Sequence, residues 1–234
     1  MSKKMSKVLA SIKNLSEAKL LINTEIDIID LKDPTKGALG RLSTNDIKNI
    51  VDFISKKKLV SSTVGDLPND KAMISKNVDE ISKTDVDFIK IGVYEKKYIK
   101  TLSQISCNKK LIAVFFADKF LPSKNDMMIL RASGFYGVMI DTANKKSGNL
   151  FDHTTYNVIN KFLKIATSLK LIAGIAGSIN ESHINDLLQL NPNYMGFRGA
   201  LCKNKKIRNS NISVIAVKNI TNKIKNYKNY KISA

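Results

Sequence analysis

Two lysines stand inside runs that otherwise read as β-strands. The first lies in Asp27-Ile28-Ile29-Asp30-Leu31-Lys32-Asp33-Pro34 and the second in Asp87-Phe88-Ile89-Lys90-Ile91-Gly92. Each is set among β-branched and aromatic residues that favour a packed, pleated surface, whereas lysine is almost never fully buried without a partner. Side chains alternate along a strand, so Asp30 and Lys32 share one face while Ile29 and Leu31 take the other. If the shared face lines the inside of a barrel, a carboxylate and an amine meet in a confined site. Desolvation there lowers the lysine pKa and makes the amine a nucleophile towards carbonyl carbon.

Further polar residues cluster at the ends of later apolar runs. Asp141-Thr142 closes one run, and Lys145 follows four residues after Asp141. An acid and an amine held within hydrogen-bond reach can pass protons. The segments Gly174-Ile175-Ala176-Gly177-Ser178 and Gly196-Phe197-Arg198-Gly199-Ala200 end the last two runs. Glycines allow backbone N–H groups to approach an anion closely, and Ser178 and Arg198 add side-chain donors. Gly177, Ser178, Arg198 and Gly199 are therefore the expected phosphate-binding set. His153 and His183 have no second ligand at metal spacing and read as incidental. Cys202 reads as a small buried hydrophobe.

The elements that must position these residues alternate regularly. Eight short apolar runs cover 8–12, 26–31, 59–64, 88–93, 111–117, 137–140, 171–176 and 194–197. Amphipathic stretches lie between and after them at 15–23, 44–56, 70–83, 96–106, 124–133, 153–168, 181–189 and 213–226, with Ser16, Ser43, Ser123 and Asp152 as expected caps. Strands that alternate with helices pair in parallel through right-handed crossovers. Eight such units in 234 residues predict an α/β fold, a single-domain (β/α)8 TIM barrel over 1–234, with 213–234 as C-terminal helix and tail. Barrel enzymes carry their chemistry at the C-terminal ends of the strands, where the lysines and their acidic neighbours fall.

Composition narrows the function classes. No 18-residue apolar run or signal-peptide pattern occurs, so neither a membrane span nor secretion is expected. Two cysteines without metal spacing suit a reducing cytoplasm. The net charge of +19 raises nucleic acid as a partner, but only Arg41, Arg131, Arg198 and Arg208 are arginines among 39 basic residues. Lysines are spread along the whole chain, which reads as compositional bias rather than a phosphate-reading patch. No GxxxxGK[ST] or GxGxxG motif is present, so nucleotide cofactors are not expected.

Six ordered motifs carry a family resemblance. The stretch from Asp27 to Gly40, DIIDLKDPTKGALG, resembles the ADIIDVKNPxEGSLG signature of the 4-(hydroxymethyl)-2-furancarboxaldehyde-phosphate synthases, also called (5-formylfuran-3-yl)methyl phosphate synthases. LVSSTVGDLP at 59–68 is similar to the family's LVSATVGDVP, and FIKIGVY at 88–94 to YIKVGLY. DTANK at 141–145, followed by Leu150-Phe151-Asp152, follows LDTAxKDGxxLFD. Ala176-Gly177-Ser178 and the run from Phe197 to Cys202 complete the set, and the resemblance spans roughly 8–210.

The resemblance implies a lyase that condenses two molecules of glyceraldehyde 3-phosphate into a phosphorylated furan aldehyde, the furan source of methanofuran-type one-carbon carriers. It assigns the Schiff base to Lys32 and acid–base work to Asp141 and Lys145, with Asp30 and Lys90 in support. It calls for no metal and no organic cofactor. Triose phosphates are the expected partners, with no nucleic acid and no membrane; a homo-oligomer stays open. Another Schiff-base barrel of aldolase type would present the same lysine and phosphate ends. The chain departs from the family pattern at Thr24-Glu25, at the enlarged Val114-Phe115-Phe116 and in the loop after Cys202. There the family tends towards Gly-Gly-x-Arg, whereas this chain reads Lys203-Asn204-Lys205-Lys206-Ile207-Arg208, so lysine charge is expected to replace glycine N–H donors.

Overall fold

The strand runs are rich in residues that suit a surface covered on both faces, and they pair edge to edge until the sheet meets itself. The computed structural model describes residues 5–205 and 207–231. Residues 1–4, Lys206 and the end of the tail at 232–234 lie outside the described residues. Each strand is followed by a helix, giving β1 (Lys7–Ile12), α1 (Leu15–Leu21), β2 (Ile28–Leu31), α2 (Thr44–Ile54), β3 (Leu59–Thr63) and α3 (Lys71–Ser82). There follow β4 (Phe88–Val93), α4 (Lys97–Leu102), β5 (Lys110–Phe116), α5 (Lys124–Ala132), β6 (Gly137–Asp141) and α6 (Tyr156–Ser168). The chain ends with β7 (Ile172–Ile175), α7 (Ile184–Gln189), β8 (Tyr194–Phe197) and α8 (Val214–Lys231). The strands run in sequence order around a closed parallel barrel, and β1 pairs with both β2 and β8. The fold is the expected (β/α)8 barrel.

Strand alternation divides the core in two. Outward side chains such as Ile29, Leu31, Ile89 and Phe115 pack against the helix ring in one large apolar cluster. Inward residues such as Leu9, Ile28, Phe88, Ile112, Met139 and Tyr194 fill the lower barrel. Above that apolar floor the inward positions turn polar: Ser11, Asp30, Ser61, Thr63, Lys90 and Asp141 are all buried. Packing on both sides of the wall thus leaves a buried polar layer in the upper barrel.

The base of the barrel is also polar, which the strand-end pattern did not suggest. Asp27, just before β2, accepts from Val8 N at 2.8 Å and returns its own N–H to Val8 O at 3.0 Å. Asp87 makes the same two bonds to Val60 at 2.8 and 2.9 Å, and Asn193 to Ala173 at 2.7 and 2.9 Å. Each side chain staples an even strand to the odd strand before it. These groups are consumed by backbone and serve stability rather than chemistry.

Two expected caps move. Asn14, not Ser16, caps α1 by accepting from Glu17 N, and Thr155, not Asp152, caps α6. Asp152 instead closes a short 3-10 turn at Leu150–Asp152, so α6 starts later than the periodicity suggested. Ser43 and Ser123 cap α2 and α5 as expected. Among the described residues, no helix is long and apolar enough to cross a membrane.

Candidate active site

Lys32 follows β2 directly and is 5% exposed. Its Nζ lies 4.0 Å from Asp141 Oδ2 and 3.4 Å from the Ala38 carbonyl oxygen. Burial removes water that would stabilise the ammonium, and the pKa falls to about 7 despite the nearby Asp141 and Asp30 carboxylates. Near neutral pH much of Lys32 is therefore free amine.

Lys90 on β4 takes Asp30 instead, at 2.6 Å. Asp30 also accepts from Ser61 Oγ at 2.7 Å and Ser11 Oγ at 2.8 Å, so β1, β2, β3 and β4 meet at one carboxylate. Burial alone would raise the Asp30 pKa, but Lys90, Lys32 and these donors hold it below the usual carboxylate value. Across the barrel, Asp141 accepts from Lys145 Nζ and from Thr142 N, the latter at 2.7 Å. Burial opposes ionisation there too, yet Lys145 and Lys32 outweigh it and bring Asp141 to about 2. Burial depresses the Lys145 pKa, with Asp141 offsetting part of the effect.

Loops hold these side chains in place. Asp118 at the end of β5 accepts from Ala143 N at 2.7 Å and Asn144 N at 2.8 Å. Those bonds fold the loop after β6 so that Lys145 turns back onto Asp141. The loop after β2 closes through Asp33 N to Gly40 O at 2.8 Å, and Asp66 accepts from Leu39 N at 2.9 Å and from Tyr94 Oη. A Cβ at Gly40 would sit 2.2 Å from Asp33 O, so this turn needs glycine. The turn carries Ala38, whose carbonyl faces the Lys32 amine.

All nine expected site residues line or adjoin one region. Lys32, Lys90, Asp141 and Lys145 border one small pocket, and Asp30 lies beneath them, bonded to Lys90. Gly177, Ser178, Arg198 and Gly199 line it as well. Gly177 and Ser178 have φ of +108° and +52°, a tight left-handed turn that brings backbone to the rim.

The contacts of Arg198 do not fit the expected phosphate role. Its guanidinium is bound by Glu17 and by the carbonyls of Ser11, Arg208 and Ser210, which engages all five N–H groups within the protein. Arg208 lines the same pocket as Arg198. Among the described residues, no hydrogen bond or ion pair uses its guanidinium, and burial shifts its pKa down, with the Asp141 carboxylate opposing part of the effect. The expected lysine substitutes point elsewhere: Lys203 and Lys205 are exposed, and Lys205 lies 3.8 Å from Glu181. Arginine is scarce in this lysine-rich chain, and that scarcity was the available signal for Arg208. Glu17 gave none beyond its place in the first turn of α1.

The pocket thus joins a buried amine of lowered pKa, a carboxylate and an excess of cationic side chains at the mouth of a parallel barrel. The 4-HFC-P synthase family profile matches residues 8–221. The chain belongs to the 4-HFC-P synthase family. A (5-formylfuran-3-yl)methyl phosphate synthase from Methanococcus aeolicus is 32% identical over 210 residues, covering 83% of this chain and 89% of that relative. One of the same name from Methanocaldococcus jannaschii is 32% identical over 228 residues, covering 91% and 97%. Solved structures share the fold alone. Phosphoribosyl anthranilate isomerase from Thermus thermophilus has a TM-score of 0.62 at 12% identity, covering 94% of this chain and 98% of its own. KGPDC from Streptococcus mutans has a TM-score of 0.67 at 8% identity, covering 95% and 99%. Among the described residues of this chain, no three His, Cys, Asp or Glu side chains gather to hold a metal ion.

Proposed function

We propose that the chain is a (5-formylfuran-3-yl)methyl phosphate synthase that joins two glyceraldehyde 3-phosphate molecules through a Schiff base on Lys32. The observation that carries this reading is the Lys32 amine, buried and brought to a pKa of about 7 beside Asp141 in a cationic pocket. Lys32 Nζ adds to the carbonyl carbon of one triose and water leaves, giving an iminium that draws electrons from the adjacent carbon. Proton loss there gives a carbon nucleophile, which adds to the aldehyde of the second triose. One phosphate and two waters leave in all as the ring closes, and hydrolysis of the imine returns the amine.

Each residue has a task in that sequence. Asp141, ionised and bonded to Lys145, takes and returns protons near the imine, with Lys145 as the donor to departing oxygen. Lys90 and Asp30, paired at 2.6 Å above the apolar floor, hold a fixed polar layer beneath the pocket, so that little reorganisation accompanies charge development. Gly177, Ser178, Gly199 and Arg208 line the wall suited to phosphate.

Borohydride reduction in the presence of glyceraldehyde 3-phosphate is expected to fix a triose to Lys32, with Lys32→Ala unlabelled. Without borohydride, a furan chromophore and inorganic phosphate should appear together. The apparent rate constant for trapping should rise with pH through about 7, because only the amine attacks and raising the pH removes the ammonium form. Label on Lys90, or a simple aldol adduct without phosphate release, would overturn the proposal.

A further inference from the structure

Glu17 and Arg198 form a pair at 2.5 Å between Nη1 and Oε2, joined by a second bond at 3.1 Å from Nη2 to Oε1. Both are almost fully buried, at 2% and 4% exposure. They come from opposite ends of the chain, Glu17 from the first turn of α1 and Arg198 from the end of β8. Glu17 Oε2 also accepts from Lys13 N at 3.0 Å, which fixes the carboxylate before the arginine reaches it. The remaining Arg198 donors all go to backbone: Nε to Arg208 O at 3.0 Å, Nη1 to Ser11 O at 3.1 Å and Nη2 to Ser210 O at 3.1 Å.

Two of those carbonyls belong to one loop, either side of Asn209. Arg198 therefore grips the backbone of Arg208 from within the barrel rim. Cys202 Sγ lies 3.4 Å from the same Arg208 and Ser210 carbonyls, and Lys203 N bonds Asn211 O at 2.8 Å. The Arg208 side chain leaves this anchored backbone over Gly199, where a Cβ would lie 3.5 Å from Arg208 Cγ, and reaches the pocket beside Lys145 and Ser178. An uncommitted guanidinium on a clamped backbone is pre-organised for bidentate contact with a phosphate, which limits the entropy lost on binding.

We propose that the Glu17–Arg198 pair is a positioning device that aims Arg208 at a substrate phosphate, so that Glu17 sets phosphate affinity at a site it never touches. The proposal rests on the synthase reading only for its claim that the pocket takes phosphorylated substrates. Neither Glu17 nor Arg198 is a catalytic residue here; both act through Arg208.

The test is a double-mutant cycle read by calorimetric titration of the whole protein with inorganic phosphate, with a thermal melt on each variant. Glu17→Gln keeps an acceptor but removes the charge. It is expected to weaken phosphate binding by about tenfold, as is Arg208→Gln, in keeping with loss of a charge-assisted contact. The double variant should bind no more weakly than Arg208→Gln alone, because the two residues act in series. Should Glu17→Gln fail to fold, Arg198→Lys carries the cycle: it keeps the charge beside Glu17 but cannot span the Arg208 and Ser210 carbonyls. Additive losses, unchanged phosphate affinity in the folded single variant, or no measurable phosphate binding by the parent would each overturn the proposal. A role confined to stability would lower the melting temperature equally in both backgrounds and leave phosphate affinity alone. Borohydride trapping on Lys32 is read separately. Trapping without coupled phosphate losses sinks the positioning role and leaves the synthase standing, whereas coupled losses without furan formation do the reverse.

Discussion

Ser62 is a fully buried hydroxyl with no hydrogen-bond partner among the described residues. Its neighbour Ser61 points inward to Asp30, so strand alternation sends Ser62 outward into the apolar layer beneath the helices. An unpaired buried hydroxyl costs about 1–3 kcal/mol. Ser62→Ala is expected to raise stability by about 1 kcal/mol, or roughly 2–4 °C in melting temperature for a domain of this size, with turnover unchanged. A lower melting temperature would mean that the hydroxyl is bonded in solution. The two strand lysines show what residue type could and could not reveal. Their oddity as buried cations was legible from neighbours alone. Their partners were not, because Asp30 and Lys32 share a face two residues apart yet pair elsewhere, Asp30 with Lys90 and Lys32 with Asp141. Barrel closure decides that exchange, and closure depends on register between strands far apart in sequence.

At the scale of elements, the reciprocal staples of Asp27, Asp87 and Asn193 divide the labour between the two ends of the barrel. Asp87→Ala leaves the buried Val60 N–H without its side-chain acceptor, and the expected loss is about 1–3 kcal/mol of stability. Since Asp87 lies at the base, KM and kcat should stay at parent values below the melting range. A change in KM measured on the folded variant would show that the base is coupled to the rim. Strand and helix order was legible because short, near-continuous apolar runs alternate with amphipathic stretches of helical period. The caps at Ser16 and Asp152 were misplaced because several Ser, Asp, Asn and Thr residues crowd each helix start, and only loop geometry selects among them. The rim arginines were harder still. Arg198 sits in the motif that resembles a phosphate loop, but Glu17 from α1 reaches it first, and no local pattern announces a contact across 181 residues.

At the scale of the whole molecule, Lys32 and Asp141 each make stability rise with pH, in separate windows. Lys32 has a folded pKa of about 7 against 10.5 for a solvated lysine, so between those values the unfolded chain binds more protons. Stability must rise with pH across that window, by up to about 4 kcal/mol from this group. Asp141, at about 2 against 3.8, adds stability that is present above its unfolded value and lost as pH falls towards 2. Denaturant titrations from pH 7 to 10 are expected to show the rise, and Lys32→Met should flatten it. A parent curve that falls over this range would contradict the buried-amine assignment. The outer surface obeys different rules. Val217, Ile220 and Ile224 bury one side of α8 while Lys218 and Lys225 face water, so much of the basic charge is solvated helix face.

The cause of the low Lys32 pKa, burial inside a closed wall, has a consequence for how the protein is made. A chain still emerging from the ribosome has Lys32 in water, where it is an ordinary ammonium ion with little appetite for aldehydes. Asp141 is synthesised more than a hundred residues later, and β8 must join β1 before the wall is complete. The reactive amine therefore comes into being only with the last strand, and in an unfinished molecule Lys32 is one more solvated lysine among many.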